Sequence, residues 1–203
     1  MAAVSDLFAE VRGVAKRGTS LDGDLPYAFK TALAFLEQNY SWSYLLEVST
    51  HTLPAGDTYL DLPDTATRRM KAPRKLGYKT DAGDWVYLQQ VEPGRFSSDE
   101  GEYPTGYVLT RTTTGWRFTF DCTLSEQTTF TLYAYYFTEW AGDETDTSVW
   151  AVNYARPALV ARMMICLAPI MRDSAMLQMF NQLWLESITT LVHEDAERVA
   201  GVK

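Results

Sequence analysis

The 203-residue sequence is short of cysteine, of basic residues and of long apolar runs, and each shortage excludes a class of protein. Its 2 cysteines, Cys122 and Cys166, are too few for a disulfide framework. The longest apolar stretch, 163–171, lies between Arg162 and Arg172 and falls well below the roughly 18 residues that a membrane span requires. The first residues lack the basic flank and apolar block of a secretory signal, so we expect synthesis in a reducing compartment.

The charge balance is acidic, with 18 Lys and Arg against 26 Asp and Glu and a formal net charge of −8. A surface that grips nucleic acid through its phosphates needs clustered Lys and Arg, so the balance argues against such a surface. One stretch is basic, and its members are Arg68, Arg69, Lys71, Arg74, Lys75 and Lys79.

What the sequence has in abundance is aromatic residues, 6 Trp, 12 Tyr and 9 Phe, which make up 13% of the chain. These residues are favoured in strands and at buried interfaces. With a hydrophobic fraction of 46%, the chain should fold around a real core that is rich in β-structure or present an assembly surface.

The N-terminal region predicts two amphipathic helices. Apolar residues recur at helical spacing from Val4 to Ala15, and the run ends at 16–18, where Gly18 can act as a C-terminal cap. A second helical pattern begins after Asp24 and should end near Asn39.

The middle of the chain predicts a block of six to eight strands. Turn sequences at 54–57 and 81–84 indicate β-hairpins. Apolar residues alternate with polar ones over 116–124 and again over 130–136, which predicts a pair of antiparallel strands with one buried face, joined through 125–127.

Helical spacing returns in the C-terminal region. The segment 158–171 is apolar nearly all round and should be buried, with Pro169 bending or ending it, and a new helix can begin at Asp173 or Ser174. Its apolar stripe comprises Met176, Met179, Phe180, Leu183, Trp184, Ser187, Ile188, Leu191 and Val192.

We therefore predict an α+β fold in which the N- and C-terminal helices pack as a helical bundle and an antiparallel β-sheet or sandwich is inserted between them in sequence. The predicted helical domain comprises 1–43 and 148–203, and the inserted β domain comprises 44–147.

A search for catalytic patterns predicts no catalytic residue, cofactor or metal. The 2 histidines, His51 and His193, form no zinc motif, and nucleophile-elbow, P-loop and dinucleotide sequences are missing. The cysteines lie in apolar contexts typical of core residues. The acidic stretch 143–146 lacks the pattern of a calcium loop and is typical of a solvated connector.

Tyr133, Tyr135 and Phe137 fall on the face of their strand opposite the predicted core. Such a platform can stack on a sugar, or it can be covered by a neighbouring subunit. The methionine-rich stripe of the last helix likewise fits either core packing or an adaptable docking surface.

Four segments, in order, resemble the head-to-tail connector adaptors of tailed bacteriophages, also called head-completion proteins. The segment 34–45 is similar to the family's helix and aromatic strand start, and 53–63 to its hairpin, which has an Ala-Gly turn followed by Tyr-x-Leu-Pro. The segment 103–107 is similar to the Pro-x-x-Tyr that precedes a strand pair, and 130–136 to the strand before an acidic loop. Helices after Asn153 complete a likeness that spans roughly residues 20 to 200.

The resemblance implies a structural protein of the virion, made in the host cytoplasm, and not an enzyme. Copies would dock on the portal protein, form a homo-oligomeric ring, typically dodecameric, that extends the DNA channel, and hold downstream tail or nozzle proteins. Double-stranded DNA would pass without sequence-specific binding, and no membrane span is expected.

Two sets of residues are the candidates for such contacts. The core seam or portal contact would use Met176, Met179, Phe180, Leu183, Trp184 and Leu191. The inter-subunit or tail-facing β surface would use Tyr133, Tyr135, Phe137, Arg68, Arg69 and Lys71.

Two other functions compete with this interpretation. A carbohydrate-binding β-sandwich with helical flanks would use the aromatic strands for stacking. A hydrolase would need scattered carboxylates such as Asp121 and Glu139 to act as a pair.

Overall fold

The computed structural model describes residues 1–65, 69–95, 103–138 and 140–200. It has the predicted α+β fold. The helices are α1 (Val4–Ala15), α2 (Leu25–Asn39), α3 (Trp150–Tyr154), α4 (Arg156–Met171) and α5 (Ser174–Ala200). The strands are β1 (Leu46–Leu53), β2 (Tyr59–Pro63), β3 (Arg69–Lys79), β4 (Trp85–Tyr87), β5 (Gln89–Gln90), β6 (Gly106–Arg111), β7 (Gly115–Phe120) and β8 (Thr128–Phe137).

The chain divides into two compact units. The helical unit comprises Met1–Tyr44 and Trp140–Lys203, and the β unit comprises Leu45–Glu139. The segment 140–147, which the sequence prediction assigned to the β domain, therefore belongs to the helical unit. Two sets of contacts hold it there: the Trp140 ring packs edge-on against Phe29 at 4.7 Å between centroids, and the carbonyls of Glu144 and Asp146 accept the first backbone N–H groups of α1.

Helix α4 lies at the centre of the helical unit and contacts each of the other four helices. An all-round apolar sequence is what such a position requires, since neighbours cover every side. The buried residues of α4 are Ala158, Leu159, Val160, Ala161, Met163, Met164, Leu167 and Ala168. The predicted burial is confirmed for 158–168 and is wrong for the last turn, where Pro169 and Ile170 are exposed.

The ends of the helices follow from local chemistry. Helix α1 ends at Ala15 and is capped by Lys16, which adopts the left-handed conformation with φ 52°, so the cap is the first residue of the predicted end at 16–18 and not Gly18. Helix α4 continues two residues past Pro169 and ends on left-handed Arg172. The Asp173 carboxylate then accepts the Met176 N–H at 2.9 Å, which caps α5 where the sequence predicts its start.

The β unit consists of two four-stranded sheets, with strand orders β1-β8-β3-β4 and β2-β7-β6-β5. All pairings are antiparallel except the two-residue pairing of β5 with β6, which is parallel. Both sheets contribute to one core, which includes Leu60, Leu76, Tyr107, Phe118, Phe120, Phe130, Leu132 and Ala134. Alternating burial along β8 confirms the predicted inner and outer positions of that strand.

Two predicted pairings are wrong. Strands β7 and β8, expected to pair with each other, lie in different sheets, and so do β1 and β2 on either side of the 54–57 turn. Both connections cross between the sheets, and a hydrogen bond from Gly56 N–H to the Leu124 carbonyl, 2.8 Å long, ties the two crossings together. Alternation predicts which face of a strand is buried, but two sheets that share a core give the same alternation as two neighbours in one sheet.

Candidate interaction surface

The outer face of the first sheet is the candidate site. Strand register places paired residues on the same face, so β8, β3 and β4 turn one set of side chains away from the core. We call this set the aromatic–basic face, and it consists of Tyr133, Tyr135, Phe137, Arg69, Lys75, Lys79, Trp85 and Tyr87. Three of the residues predicted for an interaction surface, Tyr133, Tyr135 and Phe137, lie there together on β8.

Cations on this face lie over its rings. The Lys75 ammonium is 4.7 Å from the Tyr87 ring centroid, and the Lys79 ammonium is 5.3 Å from that of Trp85. The Arg69 guanidinium lies 4.8 Å from the Phe137 centroid. Each contact is worth roughly 0.5–1 kcal/mol at an exposed position and fixes where the positive charge sits.

The face has one sign of charge. Strand β3 contains five basic residues and no acidic one, and the outward positions of β1, β8 and β4 contain no carboxylate. Two irregularities of register, after Met70 and after Pro73, insert an extra residue each, and half-buried Lys71 lies at the first. Arg68, the remaining member of the predicted surface, lies outside the described residues.

The outer face of the second sheet differs because its charges are paired with each other. Arg117 donates two hydrogen bonds to the Asp61 carboxylate, 2.6 and 2.7 Å long, and its guanidinium lies 4.1 Å from the Tyr59 ring centroid. The hydrogen bond from Arg117 holds the pKa of Asp61 below its usual value. This face therefore offers no net charge at its centre, in contrast to the aromatic–basic face.

The apolar stripe predicted for α5 is only partly buried. Phe180, Trp184 and Leu191 are buried, Met176 is half-buried, and Met179 and Leu183 are exposed. The stripe spans a wider arc than the helices packed against α5 can cover.

The exposed side of α5 is acidic and partly aliphatic. Leu185, Val192 and Val199 are 63%, 42% and 40% exposed and recur every seventh residue. Glu186 and Glu197 are exposed on the same side of the helix as one another. The only Lys or Arg of α5 within the described residues is Arg198, whose guanidinium lies 4.0 Å from the Tyr44 ring centroid.

An aromatic network packs the helical unit beneath this surface. The Trp184 ring meets Phe35 edge-on at 5.7 Å, and the Arg162 guanidinium lies 3.7 Å from the Phe35 centroid. Buried Glu37 accepts a 2.7 Å hydrogen bond from the Trp150 indole N–H. Sequence patterns gave no signal for this carboxylate, because a Glu on a helix is usually solvated.

Of the two carboxylates considered for hydrolysis, the structure describes Asp121, which has a structural role. Asp121 accepts hydrogen bonds from the backbone N–H groups of Thr105 and Gly106 and so anchors the start of β6, while Glu139 lies outside the described residues. Burial raises the pKa of both the Cys122 and the Cys166 thiol, which keeps them protonated at neutral pH.

The acidic connector is also structural. The Asp143 carboxylate accepts bonds from the Thr145 N–H and hydroxyl, both 2.8 Å, and Asp146 does the same for Ser148 at 2.7 Å. The bonds from Thr145 lower the pKa of Asp143. Across the described ranges, no group of three or more His, Cys, Asp or Glu side chains is placed to hold a metal ion.

Comparison with protein-family models gives no match, and comparison with curated proteins gives none either. In the part of the chain that the structure describes, no helix is both long enough and apolar enough to cross a bilayer.

Proposed function

We propose that this protein is a head-to-tail connector adaptor: a structural protein of a phage virion that docks on the portal, assembles into a ring around the DNA channel and holds the tail. The aromatic–basic face is the observation that supports this proposal most. Aromatic residues and Arg are enriched in protein interfaces, and this face combines Arg69 with rings that are exposed or half-buried. A ring subunit needs such surfaces toward its neighbours.

The order of elements supports the same proposal. The segment 34–45 includes the end of α2 and leads to β1, and 53–63 forms the crossing into β2. Residues 103–107 lead into the antiparallel pair β6–β7, and 130–136 lie in β8, ahead of the acidic connector. Three of the four segments thus lie in elements of the kind that the resemblance implies, whereas 53–63 connects two sheets and is not the hairpin that the resemblance implies.

The acidic balance has a role in this function. A dodecamer of chains at −8 each would carry a formal charge of roughly −100, which acts within a Debye length of about 10 Å. A lumen lined by carboxylates repels DNA from the wall and lets it slide. A resolved ring with a lumen lined by Lys and Arg would contradict this role.

The direct test mixes purified protein with DNA-filled heads that bear a portal but no tail, followed by electron microscopy. We expect an added ring of density beneath the portal. Heads that lack the portal are the control and should gain none. If portal-bearing heads also gain no ring, the connector function is wrong.

A carbohydrate-binding module is the second candidate, because Trp85 and Tyr87 are 41% and 46% exposed. Their rings stack on one another with centroids 5.9 Å apart, and a Lys lies over each. A sugar would have to displace these cations to stack. Glycan binding by the isolated chain, lost in Trp85→Ala, together with no ring on heads, would favour the module.

A further inference from the structure

We propose that the aromatic–basic face binds helix α5 of a second copy of this chain, so that each copy offers its sheet to one neighbour and its helix to another. The inference rests on the proposed ring-forming function and specifies the contact between subunits.

On the sheet, an aromatic stripe lies beside a basic stripe. The aromatic stripe follows β8 and the basic stripe follows the adjacent strand β3. Neighbouring strands are about 4.8 Å apart, so the two stripes together are about as wide as a helix, roughly 10 Å. The stripes are Tyr133, Tyr135 and Phe137 on β8, and Arg69, Lys75 and Lys79 on β3.

On α5, an aliphatic stripe lies beside an acidic one. A seven-residue repeat drifts by only about 20° on a helix, so Leu185, Val192 and Val199 form one continuous edge. Successive residues of a helix are rotated by about 100° about its axis, so Glu186 and Glu197 project roughly 100–140° away from this aliphatic edge. A helix laid along β8 and β3 brings its aliphatic edge over the aromatic stripe and its carboxylates over the basic stripe.

The lengths also agree. Helix α5 has 27 residues and spans about 40 Å, and β3 has 11 residues and spans about 36 Å. Because the two faces are different, the contact is heterologous, which is the type that closes into a ring.

A second copy fits the face better than a nucleic acid does. The cations of the face are held over rings of the same face, and the whole chain is acidic, so a polyanion is repelled at long range. Helix α5 presents two carboxylates at the spacing of one side of a helix and aliphatic groups for the rings, which a phosphate backbone does not.

The size of the face predicts weak association in free solution. The three strands that carry the face, β8, β3 and β4, have 10, 11 and 3 residues and cover roughly 400 Å² per partner, or about 800 Å² in total, which is below the roughly 1,000 Å² of a stable specific interface. A template that concentrates the copies, such as a portal ring, would then drive assembly.

Charge reversal on each side tests the contact. Lys75→Glu with Lys79→Glu, and separately Glu186→Lys with Glu197→Lys, should each weaken self-association by about tenfold or more at low ionic strength, measured by sedimentation velocity. An equimolar mixture of the two variants should associate again, because the reversed sheet of one now complements the reversed helix of the other. Lys16→Glu with Arg17→Glu makes the same change in net charge as the sheet variant, on exposed residues of the helical unit, and should have little effect.

Cysteine cross-linking fixes the geometry. Copies with Tyr133→Cys mixed with copies with Val192→Cys should form a cross-linked dimer, because the aliphatic edge of α5 is expected to lie over the aromatic stripe of β8, and each variant alone should form far less. The same pair tested in rings assembled on portal-bearing heads separates the two hypotheses. If rings form without the cross-link, this contact is wrong and the connector function still holds. If the cross-link forms in solution but no ring forms on heads, the contact holds and the connector function is wrong.

Three results would overturn the inference: equal cross-linking by each variant alone, no cross-link in solution or in rings, or charge-reversed variants that fail separately and also fail when mixed. Binding of single-stranded DNA that is lost in the Lys75→Glu, Lys79→Glu variant would assign the face to nucleic acid instead.

Discussion

At the scale of the residue, Trp184 is the largest buried side chain of α5, and it meets Phe35 and lies 5.8 Å from the Arg162 guanidinium. We expect Trp184→Ala to lower the free energy of unfolding by about 3–5 kcal/mol, because it leaves a cavity that rigid neighbours cannot fill. Urea denaturation measures this loss. Leu185→Ala, next to it on the exposed side, should change stability by no more than about 0.5 kcal/mol. A Trp184→Ala protein with unchanged stability that fails to join heads would show instead that this residue contacts the portal.

The hydrogen bond between Trp150 and Glu37 is a second test at this scale. Trp150→Phe removes the indole donor and leaves the buried carboxylate with one bond fewer. We expect a loss of roughly 1–3 kcal/mol, the cost of removing one partner of a buried polar group. If Glu37→Gln in the Trp150→Phe background brings no recovery, the loss comes from packing of the ring and not from the buried carboxyl group.

Asp61 makes the stability of the folded protein depend on pH. Its pKa is lowered in the folded state by the hydrogen bond from Arg117, so its contribution to stability is present above 3.8, the unfolded value, and is lost as pH falls through the folded pKa. Asp61→Asn should therefore lower stability near neutral pH and make little difference in strong acid. Thermal melts of both proteins over that range measure the difference. Parallel curves at every pH would contradict the linkage.

At the scale of the element, the close pairing of β2 with β7 depends on Gly115. A Cβ on Gly115 would lie 2.1 Å from the Leu62 carbonyl oxygen, so the strands must separate to admit it. We expect Gly115→Ala to cost about 1–3 kcal/mol. Gly13, in α1, has nothing within 4 Å of an added Cβ, and Gly13→Ala should raise stability by about 0.5–1 kcal/mol. Chemical denaturation of both variants measures the two effects, and a stabilising Gly115→Ala would show that the pairing is looser than described.

Elements were predictable from sequence to different degrees. The residues that are buried on α2 and on α5 recur at helical spacing, so the positions of these two helices follow from the sequence. The alternation of buried and outward residues along β8 follows from it as well. The hairpin predicted at 81–84 is confirmed, since it joins the antiparallel pair β3 and β4. The partners of β7 and β8 did not follow, because the 121–127 connection could equally be a hairpin or a crossing between sheets. The pairing of β8 with β1 and β3, and of β7 with β2 and β6, decides between them.

At the scale of the whole molecule, strand pairing explains how a β unit can be inserted into a helical one. Leu46 at the start of β1 pairs with Tyr135 near the end of β8, so the chain enters and leaves the β unit at neighbouring points. Replacement of 46–135 by a short Gly-Ser linker should leave a folded helical unit. The linker has to join two points only about 5 Å apart, since this is the distance between the Cα atoms of paired residues such as Leu46 and Tyr135. A helical circular-dichroism spectrum with a cooperative melt is the expected result, and a non-cooperative melt would show that the helical unit needs the β unit.

The sequence by itself determined the composition of this protein's surfaces and the periods of its elements: an acidic chain, a basic stretch within it, apolar stripes at helical spacing and alternating strands. These properties are local, since each depends on residues within a few positions of one another. Tertiary structure alone decided which strands share a sheet, which part of the α5 stripe is covered, and that the rings of β8 lie beside the cations of β3. Those relations depend on contacts between segments far apart in the chain, which periodicity does not encode.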